Sequence, residues 1–142
     1  MATGHDSIDW KAILDSAGGY PIEAFEFVRE GLAYTVSRIH EHPDSVPPPS
    51  RHVSGQQLCL GLRDHALDRW GMMAATVLES WNVHRTDDFG RIVFAMIEHG
   101  VMSKTPQDSL ADFRGVFDFD EAFAPSAVAA SVRERVERVS RD

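Results

Sequence analysis

Apolar positions are densest between Val53 and Phe123, and the longest uninterrupted stretch, Ile92 to Ile97, lies between the acidic turn Asp87-Asp88 and Gly100. Six consecutive apolar residues on a helix leave no polar face there, so this segment is predicted to lie at the centre of the fold. Upstream, Phe25, Val28, Leu32, Val36 and Ile39 recur at spacings of three and four after Pro21, which predicts a long helix with one buried stripe. The stripe crosses Gly31 in phase, so Gly31 reads as a close-packing glycine inside the helix rather than a stop.

Start and stop signals divide the rest. Ser7 and Gly18-Gly19 bracket a short first helix that carries Ile8, Ile13 and Leu14. Pro43 ends the long helix near His42, and Pro47-Pro48-Pro49 predicts an extended connector over residues 43–50. Ser54 and Gln57 have capping-box spacing ahead of a helix whose inner face is Cys59, Leu62, Ala66 and Trp70. Gly71 breaks it before a further stripe of Met73, Val77 and Trp81. Thr86 or Asp87 caps the central helix and Gly100 closes it. Thr105, Pro106 and Asp108 repeat the start signal for a short helix on which Phe113 and Phe117 meet at spacing four. Phe117 to Asp120 alternates with period two, the pattern of a short extended segment or of an irregular turn packed on the core. A last helix runs from about Pro125 to Ser140 on Val128, Val132, Val136 and Val139. The fold class is therefore all-α: a single helical domain over residues 1–142, built as a bundle of five to seven helices.

Composition fits that class. The 142 residues are 43% hydrophobic and 25% charged, as in ordinary globular domains. Cys59 is the single cysteine, which excludes an internal disulfide and suits a small buried hydrophobe. Residues 1–10 lack the basic and apolar regions of a leader, and no apolar run reaches membrane-spanning length, so the expectation is a cytoplasmic protein without a membrane partner. The net charge of −8 disfavours nucleic acid, whose binding draws on clustered Lys and Arg. Lys and Arg against Asp and Glu number 3 and 8 in residues 1–50, 4 and 3 in 51–85, 3 and 8 in 86–124, and 4 and 3 in 125–142. Two acidic stretches thus flank a mildly basic one that also holds His52, His65 and His84.

Residues 20–32 and 89–101 align without a gap, pairing Phe25 with Phe94 and Gly31 with Gly100. A duplicated helical unit and two amphipathic helices with a glycine in phase both account for this echo. Three longer strings carry a different signal: YPIEAFEFVREGLAYTV from Tyr20 to Val36, RHVSGQQLCLGLRDHALDRWG from Arg51 to Gly71, and residues 86–123 with TDDFGRIVFAMIEHGVMSKT and DFRGVFDFDEAF. Together these strings resemble an uncharacterised bacterial family of hypothetical or repeat proteins found mainly in Planctomycetes and Verrucomicrobia. The resemblance covers residues 20–123 and brings with it no activity, cofactor or catalytic residue.

Candidate chemistry centres on histidine. His40 and His42 precede the proline connector and His52 follows it, so a fold-back would gather three imidazoles around a metal, although the spacing matches no compact zinc motif. Arg51-His52 and Asp64-His65 supply acid and base types, but no nucleophile stands in a recognisable setting and no phosphate loop or HExxH string occurs. No catalytic residue, metal ligand or cofactor is assigned. The polar strings Arg51, His52, Gln56, Gln57 and Asp87, Asp88, Arg91 stand at two predicted helix starts and are the candidate partner-binding residues. Phe113, Phe117, Phe119 and Phe123, set among acids, could dock into another protein, but aromatics at helical spacing read first as core.

The sequence thus points to a non-catalytic interaction or adaptor module that meets another protein or itself. The competing class is a small enzyme or metal-binding protein using His52, Asp64 and His65.

Overall fold

Phe27 is fully buried where four aromatic rings converge: His65 at 5.4 Å between centroids, Trp70 at 5.1 Å, Trp81 at 5.7 Å and Phe89 at 6.4 Å. This computed structural model describes residues 2–3, 8–39 and 52–141 of the chain. The described residues are overwhelmingly helical: α1 (Trp10–Ala17), α2 (Ile22–Ile39), α3 (Gly55–Trp70), α4 (Ala74–Ser80), α5 (Thr86–Glu98), α6 (Phe119–Ala122) and α7 (Pro125–Arg141). Among them the one strand pairing is antiparallel, between β1 (Ala2–Thr3) and β2 (Met102–Ser103), with Ala2 opposite Ser103 and Thr3 opposite Met102.

The apolar run Ile92–Ile97 does occupy the centre. Ile92, Val93, Ala95 and Met96 are buried, and α5 packs against α1, α2, α3 and the 3₁₀ turn Leu110–Phe113. Each large side chain buried in this way contributes about 1.5–3 kcal/mol relative to exposure. The helix closes by a Schellman motif, with Gly100 at φ 77°, its N–H donating to Ile97 O and the Val101 N–H donating to Met96 O at 2.8 Å.

The α2–α3 pair rests on two glycines. A Cβ on Gly31 would overlap the Leu62 side chain, and one on Gly61 would overlap the Thr35 side chain, so the backbones lie closer than any larger residue allows. Gly31 therefore packs helix on helix as its position in the stripe predicts, whereas Gly100 sits past a helix end; the two glycines of the internal echo play different structural parts.

Several local expectations are corrected. The segment after Pro106 is a turn followed by the 3₁₀ turn Leu110–Phe113, not a helix, because Asp108 and Asp112 fold back on the Thr105 and Ser109 N–H groups and close two successive turns. Phe113 and Phe117 consequently do not meet: Phe113 is buried edge-on against Phe94, and Phe117 stacks on Phe119 at 5.4 Å. The period-two run Phe117–Asp120 becomes the start of α6, where Asp118 accepts from the Asp120 and Glu121 N–H groups. After Gly71 the 3₁₀ turn Gly71–Met73 rotates the chain so that Ala74 and Leu78, rather than Met73, Val77 and Trp81, form the fully buried face. In α7 only Val128 of the described valines is buried; Val132 and Val136 are 38% and 57% exposed. The first helix is capped by Asp9, whose side chain accepts from Ala12 N; the expected cap, Ser7, lies outside the described residues.

Candidate functional site

The two helix starts singled out by sequence come together on one segment, residues 105–116. At the first, His52 Nε2 lies 2.6 Å from Asp108 Oδ2, which also accepts from Thr105 N at 2.9 Å. Burial raises the Asp108 carboxyl, but the Thr105 N–H and the His52 ring outweigh it, and the group sits below the usual carboxylate range. Gln57 and Ser54 complete the capping box at the head of α3, the serine hydroxyl accepting from Gln57 N and the amide oxygen from Ser54 N. Gln56 Nε2 donates to Asp112 Oδ1 at 3.4 Å. Phe113 fills the space beside Gly55 and Gly90, where a Cβ on either glycine would meet its ring within 3 Å. One aromatic side chain thereby locks α3 and α5 to the same turn.

At the second start, Thr86 is fully buried and its hydroxyl donates to Phe113 O at 2.7 Å while accepting from Val116 N at 3.1 Å. Asp87 Oδ1 accepts from Gly115 N. Neither residue caps α5. Arg85 occupies the N-cap position, and Asp88 closes that end by accepting from His84 N at 2.8 Å and Arg85 N at 3.1 Å through Oδ2. Asp88 Oδ1 accepts from the Tyr20 hydroxyl at 2.5 Å and lies 3.4 Å from Arg91 Nη1. Burial and the Asp88 carboxylate push the Tyr20 phenol up to about 12, with Arg91 pulling the other way. Asp88 is 5% exposed and Arg91 reaches out into solvent.

Of the candidate partner-binding residues, His52, Gln56, Gln57, Asp87 and Asp88 thus carry intramolecular bonds that dock 105–116 and set the helix ends. Arg51 lies outside the described residues. Sequence reasoning missed the docked segment itself. Its signal was the twice-repeated spacing of Thr105 to Asp108 and Ser109 to Asp112, two Ser/Thr-x-x-Asp turns in tandem.

Beside the second start opens a cleft of about 440 Å³ lined by His84, Arg85, Asp87, Gly115 and the run Phe117–Asp120. Its aromatic wall is the Phe117–Phe119 stack, and Phe119 also packs edge-on against Phe123. Three carboxylates and one guanidinium give its lining an acidic balance.

The remaining chemistry-bearing residues separate into different settings. Asp64 pairs with Arg63 at 3.0 Å and Arg38 at 3.5 Å. His65 stacks on Phe27 and packs at a tilt against Tyr34, with Nε2 3.7 Å from Glu30. Among the described residues no group of three or more His, Cys, Asp or Glu is arranged to hold a metal ion; His40 and His42 lie outside them. Arg63, Arg69 and Arg85 of the mildly basic stretch do not form one patch of open charge, since Arg63 is bound to Asp64 and Arg69 to Glu30. Among the described residues no helix is long and apolar enough to cross a membrane. Cys59 is fully buried, and burial, with the Asp87 charge, pushes its thiol up to about 12.

No family model, curated protein or solved structure matches the chain.

Proposed function

We propose that this chain is a non-catalytic, cytoplasmic protein-interaction module of the bacterial family its three long strings resemble, and that the cleft at the start of α5 receives a basic segment of a partner protein. The observation that carries this reading is the make-up of the cleft. Asp87, Asp118 and Asp120 surround stacked Phe117 and Phe119, a combination that takes a Lys or Arg side chain with its alkyl stem on the rings and its charge on the acids. The precedent lies inside the molecule, where Arg63 already stands 6.0 Å from the Phe117 ring centroid. A cleft framed by helix ends and by a turn locked with Phe113 is preorganised, so binding forfeits little ordering entropy.

The test is a mild-lysis pull-down of the native protein at its endogenous level, followed by carboxylate-to-lysine cross-linking and mass spectrometry. The expected result is a partner at near-equal stoichiometry whose basic segment cross-links to Asp87 or Asp120, with binding weakened by about tenfold or more in Asp120→Lys. Absence of a partner above background, cross-links confined to another face, or undiminished capture by Asp120→Lys overturns it.

A further inference from the structure

The outer face of α7 leaves apolar side chains exposed on elements separate from the cleft. Val128 faces the body and Ala127, Ser131 and Arg135 are half-buried, while Ala129, Val132, Arg133, Val136 and Glu137 face outward. Arg135 fixes this orientation, its guanidinium donating to Asp68 O at 3.0 Å and lying 3.7 Å from the Asp68 carboxylate. The turn Gly71–Met73 packs beside the same helix and exposes Met72 by 70% and Met73 by 56%. Four large apolar side chains on two adjoining elements are therefore turned to solvent, the arrangement that marks an association surface, and methionines adapt readily to such surfaces.

The charges flanking the valines identify the partner. The chain carries −8, so two copies repel over most approaches, but residues 125–142 hold 4 basic and 3 acidic residues and come close to neutrality. Arg133 and Glu137 are four residues apart and so share one flank of the outward stripe. When a helix pairs antiparallel with its own copy about a two-fold axis, each flank meets the same flank of the partner, running the other way. With Val132 level with Val136 of the second copy, Arg133 and the second copy's Glu137 lie on the same flank two residues, about 3 Å, apart along the axis, a gap their long side chains span. The stripe is thus complementary to itself in both shape and sign.

We infer that the chain forms a two-fold homodimer through α7, with Val132 and Val136 at its centre, Arg133 and Glu137 paired across the axis, and Met72 and Met73 covering its edge.

Sedimentation equilibrium of the full chain over a concentration series from micromolar to millimolar tests this. The expected mass rises from 15.8 kDa to twice that value, and Val132→Glu/Val136→Glu holds it at one chain mass with unchanged circular dichroism. Arg133→Glu alone and Glu137→Arg alone, each placing like charges across the axis, shift the monomer–dimer midpoint upward by about tenfold. Mixing the two single variants restores dimers, because each supplies the charge that the other lacks. Any effect of the changed charges within one helix would survive mixing, so the restoration reports the contact between copies. A single chain mass at every concentration overturns the inference, as does failure of the mixed variants to associate, or a dimer indifferent to the valine substitutions. None of these outcomes bears on the acidic cleft, whose residues lie on other elements.

Discussion

His52 Nε2 and Asp108 Oδ2 lie 2.6 Å apart across 56 residues of chain, and this contact holds the front of α3 to the 105–116 segment. Asp108 is almost fully buried and its carboxyl is held below the ordinary range against the effect of burial. The folded state therefore binds its proton less readily than the unfolded chain does. Its stabilisation is complete above the unfolded carboxylate value of about 3.9 and is lost as pH falls through the lower folded value. Asp108→Asn keeps the shape but removes the charge, and is expected to cost about 1.5–3 kcal/mol at neutral pH. Urea unfolding at pH 7 and at steps down to the acid limit checks this, with the gap between native and variant protein closing below the carboxylate range.

Thr86 is the counterpart at the other helix start. Its hydroxyl serves Phe113 O and Val116 N together in a site with no solvent exposure. Thr86→Val keeps the shape of the side chain and leaves both backbone groups without that partner, for an expected loss of about 1–3 kcal/mol. Thr86→Ser should recover most of it. Hydrogen exchange locates the effect: protection at Val116 should fall further than at the centre of α5, whereas an even loss throughout the chain would mean that Thr86 acts only through packing.

Gly61 and Thr35 set the spacing of the α2–α3 pair. A Cβ at Gly61 would overlap the whole Thr35 side chain, whose hydroxyl is held by Gly31 O at 2.6 Å and so cannot swing clear. Gly61→Ala gains about 1 kcal/mol in helix propensity but is expected to cost about 1–3 kcal/mol in overpacking, so the expected net change is a loss. In the Thr35→Ala background the same substitution should turn neutral or stabilising. A double-mutant cycle measures this coupling, and additive effects would exclude the clash.

The features that were legible in the sequence are those governed by neighbours in the chain. The Ser54–Gln57 box, the closure at Gly100 and the close-packing position of Gly31 depend on spacings of a few residues, and each stands where the pattern puts it. The partners of His52, Gln56, Thr86 and Asp87 lie 27 to 56 residues away, and no local pattern carries that information. Helix starts that read as open polar surfaces are therefore mostly anchors for a returning segment. The start signal at Thr105 misleads for the same reason: Asp108 caps a turn, and His52 then claims the same carboxylate oxygen. In α7 the periodicity identifies an apolar stripe without saying whether the protein's own core covers it, and the core leaves Val132 and Val136 exposed.

Cys59 offers a reporter on the whole fold. Its side chain is fully buried on α3 and its thiol is pushed up to about 12, so at pH 8 the native protein holds almost no thiolate. Modification by an aromatic disulfide reagent should therefore proceed through opening of the α3–α5 core, at a rate that rises with urea along the global unfolding curve. The same raised value fixes the alkaline side of the stability profile. The unfolded thiol ionises near about 8.5, so above that pH the unfolded state holds fewer protons and stability declines until the folded value is reached. Cys59→Ala should flatten this decline between about pH 8.5 and 9.5, below the value of about 10 at which Tyr20 and Tyr34 ionise in the unfolded chain. Fast labelling of the native protein without denaturant would contradict the burial of Cys59, and an unchanged alkaline slope in Cys59→Ala would assign that slope to other groups.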